Sequence, residues 1–229
     1  MTKDPHIRNW KFNKWQEPSI LLSLLLFCLS IIFTSIFPGW ITTTLLFLTF
    51  ILCVMILYFF RDPDREVIDS QGLVVGPCDG KVVSIDRLRE DRYLDNEVIR
   101  ISIFLSLFDV HVQRSPLAGK ITLVDLQPGK FLQAFRPEAS DVNEYIAMRI
   151  ETPYGKLLVK QIAGILARRC INFATIGDQI RTGERFGHIK FGSRVDLYLP
   201  LNAELKVNIG DKVRGGLTSI AQLSFHDNE

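Results

Sequence analysis

Histidine and cysteine are scarce in this chain, with four of each in 229 residues. No C-x-x-C pair and no Cys/His spacing of a zinc site occurs, so nothing in the sequence calls for a metal. The H-E-x-x-H, G-x-x-x-x-G-K-[ST] and G-x-G-x-x-G motifs are absent as well. A serine-hydrolase elbow is missing too, because the residue two before Ser193 is Phe191 rather than glycine. Cys28, Cys53, Cys78 and Cys170 are far apart and read as free thiols of a reducing compartment. Nor is there a surplus of one charge sign. Lys and Arg number 27 against 25 Asp and Glu, and residues 61–229 carry 23 of each. That balance argues against a nucleic-acid partner.

The most informative absence is local. From Pro18 to Phe60, 43 residues pass without a charged side chain. The run breaks once, at Pro38-Gly39, a turn pair that stops helices. It leaves apolar segments 20–37 and 40–60, about 27 and 31 Å long as helices, close to the ~30 Å hydrocarbon core of a bilayer. The sequence therefore predicts a basic leader (1–18), a two-helix membrane hairpin (19–60) and a globular part (61–229). A cleaved signal peptide fits poorly: the polar leader is long and no small-x-small site follows the apolar run. Lys3, Arg8, Lys11 and Lys14 precede the hairpin, and Arg61 and Arg65 follow it. By the positive-inside rule both ends, and the globular part, are expected on the cytoplasmic side of the inner membrane. Trp10, Trp15 and Tyr58 are placed as interfacial anchors.

From Leu73 onward, short Val/Ile/Phe-rich runs alternate with Gly, Pro and Asp, which predicts a mainly β body. Strands are expected at 73–75, 80–87, 97–104, 119–126, 145–151, 155–161, 188–191, 194–200 and 218–225. Residues 162–169 are open between strand and short helix. Two self-matches organise this part. Pro77-Cys-Asp-Gly-Lys-Val-Val-Ser-Ile-Asp86 and Pro116-Leu-Ala-Gly-Lys-Ile-Thr-Leu-Val-Asp125 share P-x-x-G-K-[VI]-x-x-[IV]-D. Ile176-Gly-Asp-Gln-Ile-Arg-Thr-Gly183 and Ile209-Gly-Asp-Lys-Val-Arg-Gly-Gly216 share I-G-D-x-[IV]-R, a turn before a strand. Such repeats suit a double barrel or sandwich like that of lipoyl carrier domains, an analogy of fold alone.

Residue chemistry by itself leaves the function open. His6 lies in the leader and His226 at the tail, so His111 and His188 are the histidines available to a site. Asp79 sits in a turn that an Asp commonly caps. Arg114, Arg168, Arg169, Lys190 and Arg194 could meet an anionic substrate or serve only in ion pairs. A membrane-anchored lipoyl-like adaptor, a carrier domain with a modified lysine, and an enzyme all fit this composition. No long heptad stretch supports the adaptor, and no Met-flanked lysine supports the carrier.

An ordered set of motifs narrows the choice. Phe59-Phe-Arg-Asp-Pro-Asp-Arg65, Pro77-x-Asp-Gly80, Phe108-x-Val-His-Val-x-Arg-x-Pro116, Gln161-Ile-Ala-Gly164, Ala167-Arg-Arg169, Gly183-Glu-Arg-Phe-Gly187 and Phe191-Gly-Ser-Arg-Val-Asp-x-Tyr-Leu-Pro200 follow one another. Together they resemble the short, membrane-associated type of phosphatidylserine decarboxylase along nearly the whole chain. The resemblance implies a proenzyme that cuts itself between Gly192 and Ser193. The products would be a β chain (1–192) and a 37-residue α chain (193–229). Ser193 would become a covalent pyruvoyl group, and Asp79, His111 and Ser193 would form the self-cleavage triad. A His can take the serine proton, and an Asp can orient the His. The pyruvoyl ketone would then engage the amine of phosphatidylserine and accept the electrons left when CO2 departs, giving phosphatidylethanolamine. Some relatives carry a second His three residues before His111, where this chain has Phe108. Neither Cys78 nor His188 is given a role. The expected partners are phosphatidylserine in the membrane and the chain's own two fragments. Arg61 and Arg65 are expected at the anionic headgroups. The ether lipid archaetidylserine, and a homodimer through β edges, stay open.

Overall fold

The structure, a computed structural model, describes residues 18–134, 136, 138–165, 169–190 and 192–224. Residues 1–17 of the basic leader, with His6, Trp10 and Trp15, and also Arg168 and His226, lie outside them. Contacts divide the chain between Pro63 and Asp64 into two units.

The first unit is a helical hairpin, α1 (Pro18–Ile36) and α2 (Trp40–Phe59). Pro18 opens α1, where a missing N–H costs nothing. Pro38 and Gly39 close it, leaving Gly39 extended just before α2. At 19 and 20 residues, both helices are long and apolar enough to cross a membrane. Most of their large apolar side chains are exposed, as hydrocarbon-facing helices require. Hydroxyls stay satisfied by bonding back along their own helix, as with Ser23 to the Ile20 carbonyl and Thr44 to that of Trp40. Two polar contacts and a ring pair join the helices: Ser30 Oγ with Thr49 Oγ1 (2.8 Å), Thr34 Oγ1 with the Thr42 carbonyl (3.1 Å), and Phe27 with Phe50.

The second unit is mainly β. Its strands are β1 (Leu73–Val75), β2 (Gly80–Glu90), β3 (Asn96–Leu105), β4 (Val112–Arg114), β5 (Gly119–Gln127), β6 (Tyr145–Thr152), β7 (Gly155–Ile162), β8 (Cys170–Asn172), β9 (Gln179–Ile180), β10 (Arg185–Ile189), β11 (Ser193–Pro200), β12 (Glu204–Leu205), β13 (Lys212–Val213) and β14 (Ser219–Gln222). A short helix, α3 (Ala139–Val142), precedes β6. Eight strands form one curled sheet in the order β13-β2-β3-β11-β7-β6-β5-β9, with two three-stranded sheets, β1-β14-β12 and β4-β10-β8. The double-barrel or sandwich expectation takes this form. The strand expected at 188–191 lies earlier, at Arg185–Ile189, and residues after Ile162 leave the sheet.

The sequence repeats explain the topology. Each I-G-D turn docks on one P-x-x-G-K strand. Gly210 N donates to the Val82 carbonyl and Val82 N to that of Asp211, while Gly177 N donates to Ile121 and Ile121 N to Asp178. Gly177 and Gly210 share a φ of 99°, a left-handed geometry suited to glycine. Asp178 and Asp211 cap their turns by accepting the N–H groups of Thr175 and Asn208. The large sheet is thus quasi-symmetric about its two central strands, β11 and β7. Alternation then builds the core: Ile99, Ile101, Ile103 and Leu105 of β3 and Val195, Leu197 and Leu199 of β11 point to one buried face. Each such side chain contributes about 1.5–3 kcal/mol on burial. The opposite face is also covered. There Lys160 Nζ lies 3.5 Å from Glu90 and 5.0–5.3 Å from the rings of Tyr93, Tyr145 and Tyr198.

Candidate active site

Ser193 begins β11, a central strand pinned by β3 on one side and β7 on the other. Its side chain is wholly buried, and among the described residues Oγ has no hydrogen-bond partner. The residue before it, Gly192, has φ +49°, which other residues adopt at a cost. The Gly192 carbonyl lies against Gly164, where any Cβ would overlap its oxygen. Gly164, from the Gln161-Ile-Ala-Gly motif, is therefore the floor beneath the peptide bond that the motifs mark. Asn143, 1% exposed, holds that floor: its Nδ2 donates to the carbonyls of Ala163 and Leu132, and its Oδ1 accepts the Leu132 N–H.

His111 is buried at 3% exposure, between β3 and β4. Its Nδ1 lies 2.9 Å from the Asp109 carbonyl oxygen. A carbonyl only accepts, so Nδ1 carries the proton and Nε2 is the basic nitrogen of the neutral ring. Side-chain amides brace the backbone behind the ring. Asn172 donates to Gln161, Gln161 to Gln113, and Gln113 to the His111 carbonyl, with Gln113 and Gln161 both fully buried. His188 stands opposite Val112 across β10 and β4, with its ring beside Phe173.

Asp79 is held in its own turn by Arg65 and Gly215. Its carboxylate accepts two hydrogen bonds from Arg65 (2.6 and 2.8 Å) and the Gly215 N–H (2.8 Å). Arg65 also donates to the Gly215 carbonyl. The Asp109 carbonyl contacts His111 Nδ1, and the Asp109 carboxylate caps the Ser106 turn. Arg65 is thus committed to Asp79, with only 7% of its side chain exposed, which corrects its placement at lipid headgroups. The Pro77 carbonyl, two residues from Asp79, accepts the Arg114 N–H, tying this turn to the strand after His111.

The basic candidates also separate. Arg194 is buried and bidentate to Asp196 (2.6 and 3.2 Å), and also donates to Ser102 and the Arg136 carbonyl. Ser140 donates to the same Asp196 at 2.6 Å. Arg114 is buried against the Gly183 carbonyl, Arg169 is exposed, and Lys190 is half-buried. Cys78 is fully buried. Burial first, then the neighbouring carboxylates of Asp79, Asp109 and Asp196, push its thiol well above the usual range. Among the described residues, no cluster of His, Cys, Asp and Glu could hold a metal ion.

An apolar cavity of about 270 Å³ opens beside Gly192, lined by Leu105, Leu107, Phe108, Ala134 and Ile165 among others. A larger one, about 480 Å³, lies by Pro200. It is about 23 Å along β11 from Ser193 at ~3.3 Å per residue, too far to serve the same chemistry.

Residues 52–221 match the family model described as phosphatidylserine decarboxylase. Curated relatives agree. The chain is 43% identical over 190 residues to a phosphatidylserine decarboxylase proenzyme of Amoebophilus asiaticus, covering 82% of this chain and 84% of the relative. It is 42% identical over 173 residues to a protein of the same name from Symbiobacterium thermophilum, covering 75% and 80%. A third, from Desulfotalea psychrophila, is 42% identical over 168 residues, covering 73% and 78%.

Proposed function

The chain belongs to the phosphatidylserine decarboxylase family, and from that premise we propose that it splits its own backbone between Gly192 and Ser193 and then, with a pyruvoyl group made from Ser193, converts phosphatidylserine to phosphatidylethanolamine and CO2. The observation that supports this reading is the Ser193 hydroxyl, buried without a partner among the described residues and beside a left-handed glycine. A buried unsatisfied hydroxyl costs about 1–3 kcal/mol, a cost accounted for if that oxygen is a reactant.

In the first reaction Ser193 Oγ adds to the Gly192 carbonyl carbon. The hydroxyl proton passes through His111 Nε2 to the Ser193 nitrogen as the C–N bond breaks, leaving Gly192 esterified to Oγ. Loss of the Ser193 Cα proton then expels Oγ with Gly192 as its carboxylate. Water enters at the new α-chain end and ammonia leaves. Gly164 fixes the carbonyl under attack, and Asp109 holds His111 in the tautomer that can accept the proton. Asp79 acts as a positioning residue, fixing the 77–80 turn through Arg65 and Gly215.

The site also fits the pyruvoyl group. The cradle beneath residue 192 admits no Cβ, and the chain after residue 193 is clamped by the buried Arg194–Asp196 pair and two neighbouring strands. Once formed, the group supplies an electron sink for decarboxylation. Arg194 and Asp196 hold its strand in place, His111 is the proton-transfer group, and the apolar wall of Leu105 and Ala134 limits water. The helix pair would anchor the enzyme in the inner membrane with this unit on the cytoplasmic side, a reading supported by the basic flanks of the hairpin.

The test is release of labelled CO2 from carboxyl-labelled phosphatidylserine by purified full-length protein. Ser193→Ala is expected to remain one chain and release none. CO2 release by that variant at the wild-type rate would refute the proposal.

A further inference from the structure

The cavity beside Gly192 has an unusual rim. Leu107 is 42% exposed, Phe108 76% and Ile165 56%, and all three line the same opening. The inner wall is Leu105, Ala134 and Gly192, so the apolar surface runs from bulk solvent to the residue preceding Ser193. A single exposed large apolar residue needs no explanation, whereas several around one concave mouth mark a ligand or an interface. Resting on the decarboxylase reading, we propose that this lip binds hydrocarbon: the proximal part of an acyl chain of the phospholipid substrate lies across Leu107, Phe108 and Ile165 while the headgroup reaches toward residue 193.

Three observations select that occupant over a protein partner. The cavity reaches Gly192, so whatever fills it lies next to the residue that precedes Ser193. At about 270 Å³ the cavity falls below the ~300–1,000 Å³ of pockets that enclose drug-sized ligands. That suits a segment of one chain, with the remainder left in lipid. Finally, the same polypeptide carries two helices long and apolar enough to cross a bilayer, so the ligand at hand is membrane lipid. Keeping the tail in an apolar surface lowers the cost of drawing the headgroup out of the bilayer, since each methylene exposed to water is unfavourable. The sequence motif around His111 therefore carries two functions on neighbouring residues: proton transfer at His111 and lipid contact at Leu107 and Phe108.

Two measurements on the full chain in proteoliposomes test this. In the first, phosphatidylserine with a photoreactive diazirine in the upper half of one acyl chain is irradiated with the Ser193→Ala chain, and adducts are mapped by mass spectrometry. Labelling at 104–108 or at Ile165 is expected; adducts confined to residues 18–59 would overturn the proposal. In the second, wild type and the Phe108→Ser/Ile165→Ser variant are compared after each has matured to two chains. The ratio of kcat/KM for long-chain phosphatidylserine to that for glycerophosphoserine is expected to fall at least about tenfold, the scale of one lost apolar anchor, with two removed here. An unchanged ratio would overturn the proposal. The decarboxylase reading fails separately, if wild type releases CO2 from neither substrate.

Discussion

Replacing Gly164 by alanine tests the geometry at the peptide bond with one methyl group. A Cβ at this position meets the Gly192 carbonyl oxygen head-on, with the Gly192 carbon at 3.1 Å and Ala134 Cβ at 3.3 Å. None of these is the free end of a flexible side chain, so the backbone at Gly192 must move. Relieving the overlap takes a shift on the order of 1 Å, and misplacing a reacting group by that much costs roughly 10²-fold in rate. That corresponds to about 2.7 kcal/mol at the barrier. Overpacking also lowers stability by about 1–3 kcal/mol, too little by itself to unfold a typical domain. Gly192→Ala is the control. A Cβ there meets nothing within 4 Å, and the penalty is only the left-handed backbone, about 1–2 kcal/mol. The assay is a time course of chain splitting on denaturing gels, with circular dichroism to establish folding. Gly164→Ala is expected to mature about a hundredfold more slowly than wild type, and Gly192→Ala to be less affected. Wild-type maturation by a folded Gly164→Ala chain would refute the reasoning.

Three further outcomes follow from the buried charges and thiols. Arg194→Met leaves Asp196 buried without its cation and should destabilise the domain by about 3–5 kcal/mol, whereas Arg194→Met/Asp196→Leu should recover much of that loss in thermal melts. If Asp79 acts by fixing its turn through Arg65, then Arg65→Gln and Asp79→Asn should slow maturation to a similar degree; normal maturation in Arg65→Gln would return Asp79 to a direct role on His111. Burial raises the thiol pKa of both Cys78 and Cys170, so the thiolate is suppressed at ordinary pH. Neither should react with iodoacetamide in the native protein at pH 8, and alkylation at the rate of an exposed thiol would contradict the packing.

The hairpin was legible because 43 uncharged residues with one Pro-Gly break leave few other structures possible. The β body was legible through its repeats, and the structure adds that the two repeat types pair with each other, turn on strand. Short pieces such as β8, β9 and β12 carry too few residues to show alternation, and β10 was placed late because the Gly187 pair of neighbours masked its start. At the proposed site, motif order named Ser193, His111 and Asp79 as candidates, but not what holds them. Asp109 acts on His111 through a backbone carbonyl, which every residue possesses and no motif encodes. The partner of Asp79 lies 14 residues away, and only folding selects Arg65 among many cations. Asn143, Gln113 and Gln161 are ordinary amides in the sequence, and their importance appears once burial removes water as an alternative partner.

Self-cleavage by Ser193 at the bond after Gly192 is the step on which the proposed activity depends. The most direct measurement is an intact-mass spectrum of the purified wild-type protein. Two chains are expected: residues 1–192 ending in a free carboxylate, and residues 193–229 lighter by one ammonia than a chain beginning with serine. A single uncut chain of 229 residues, or a fragment that still begins with an unmodified Ser193, would contradict it.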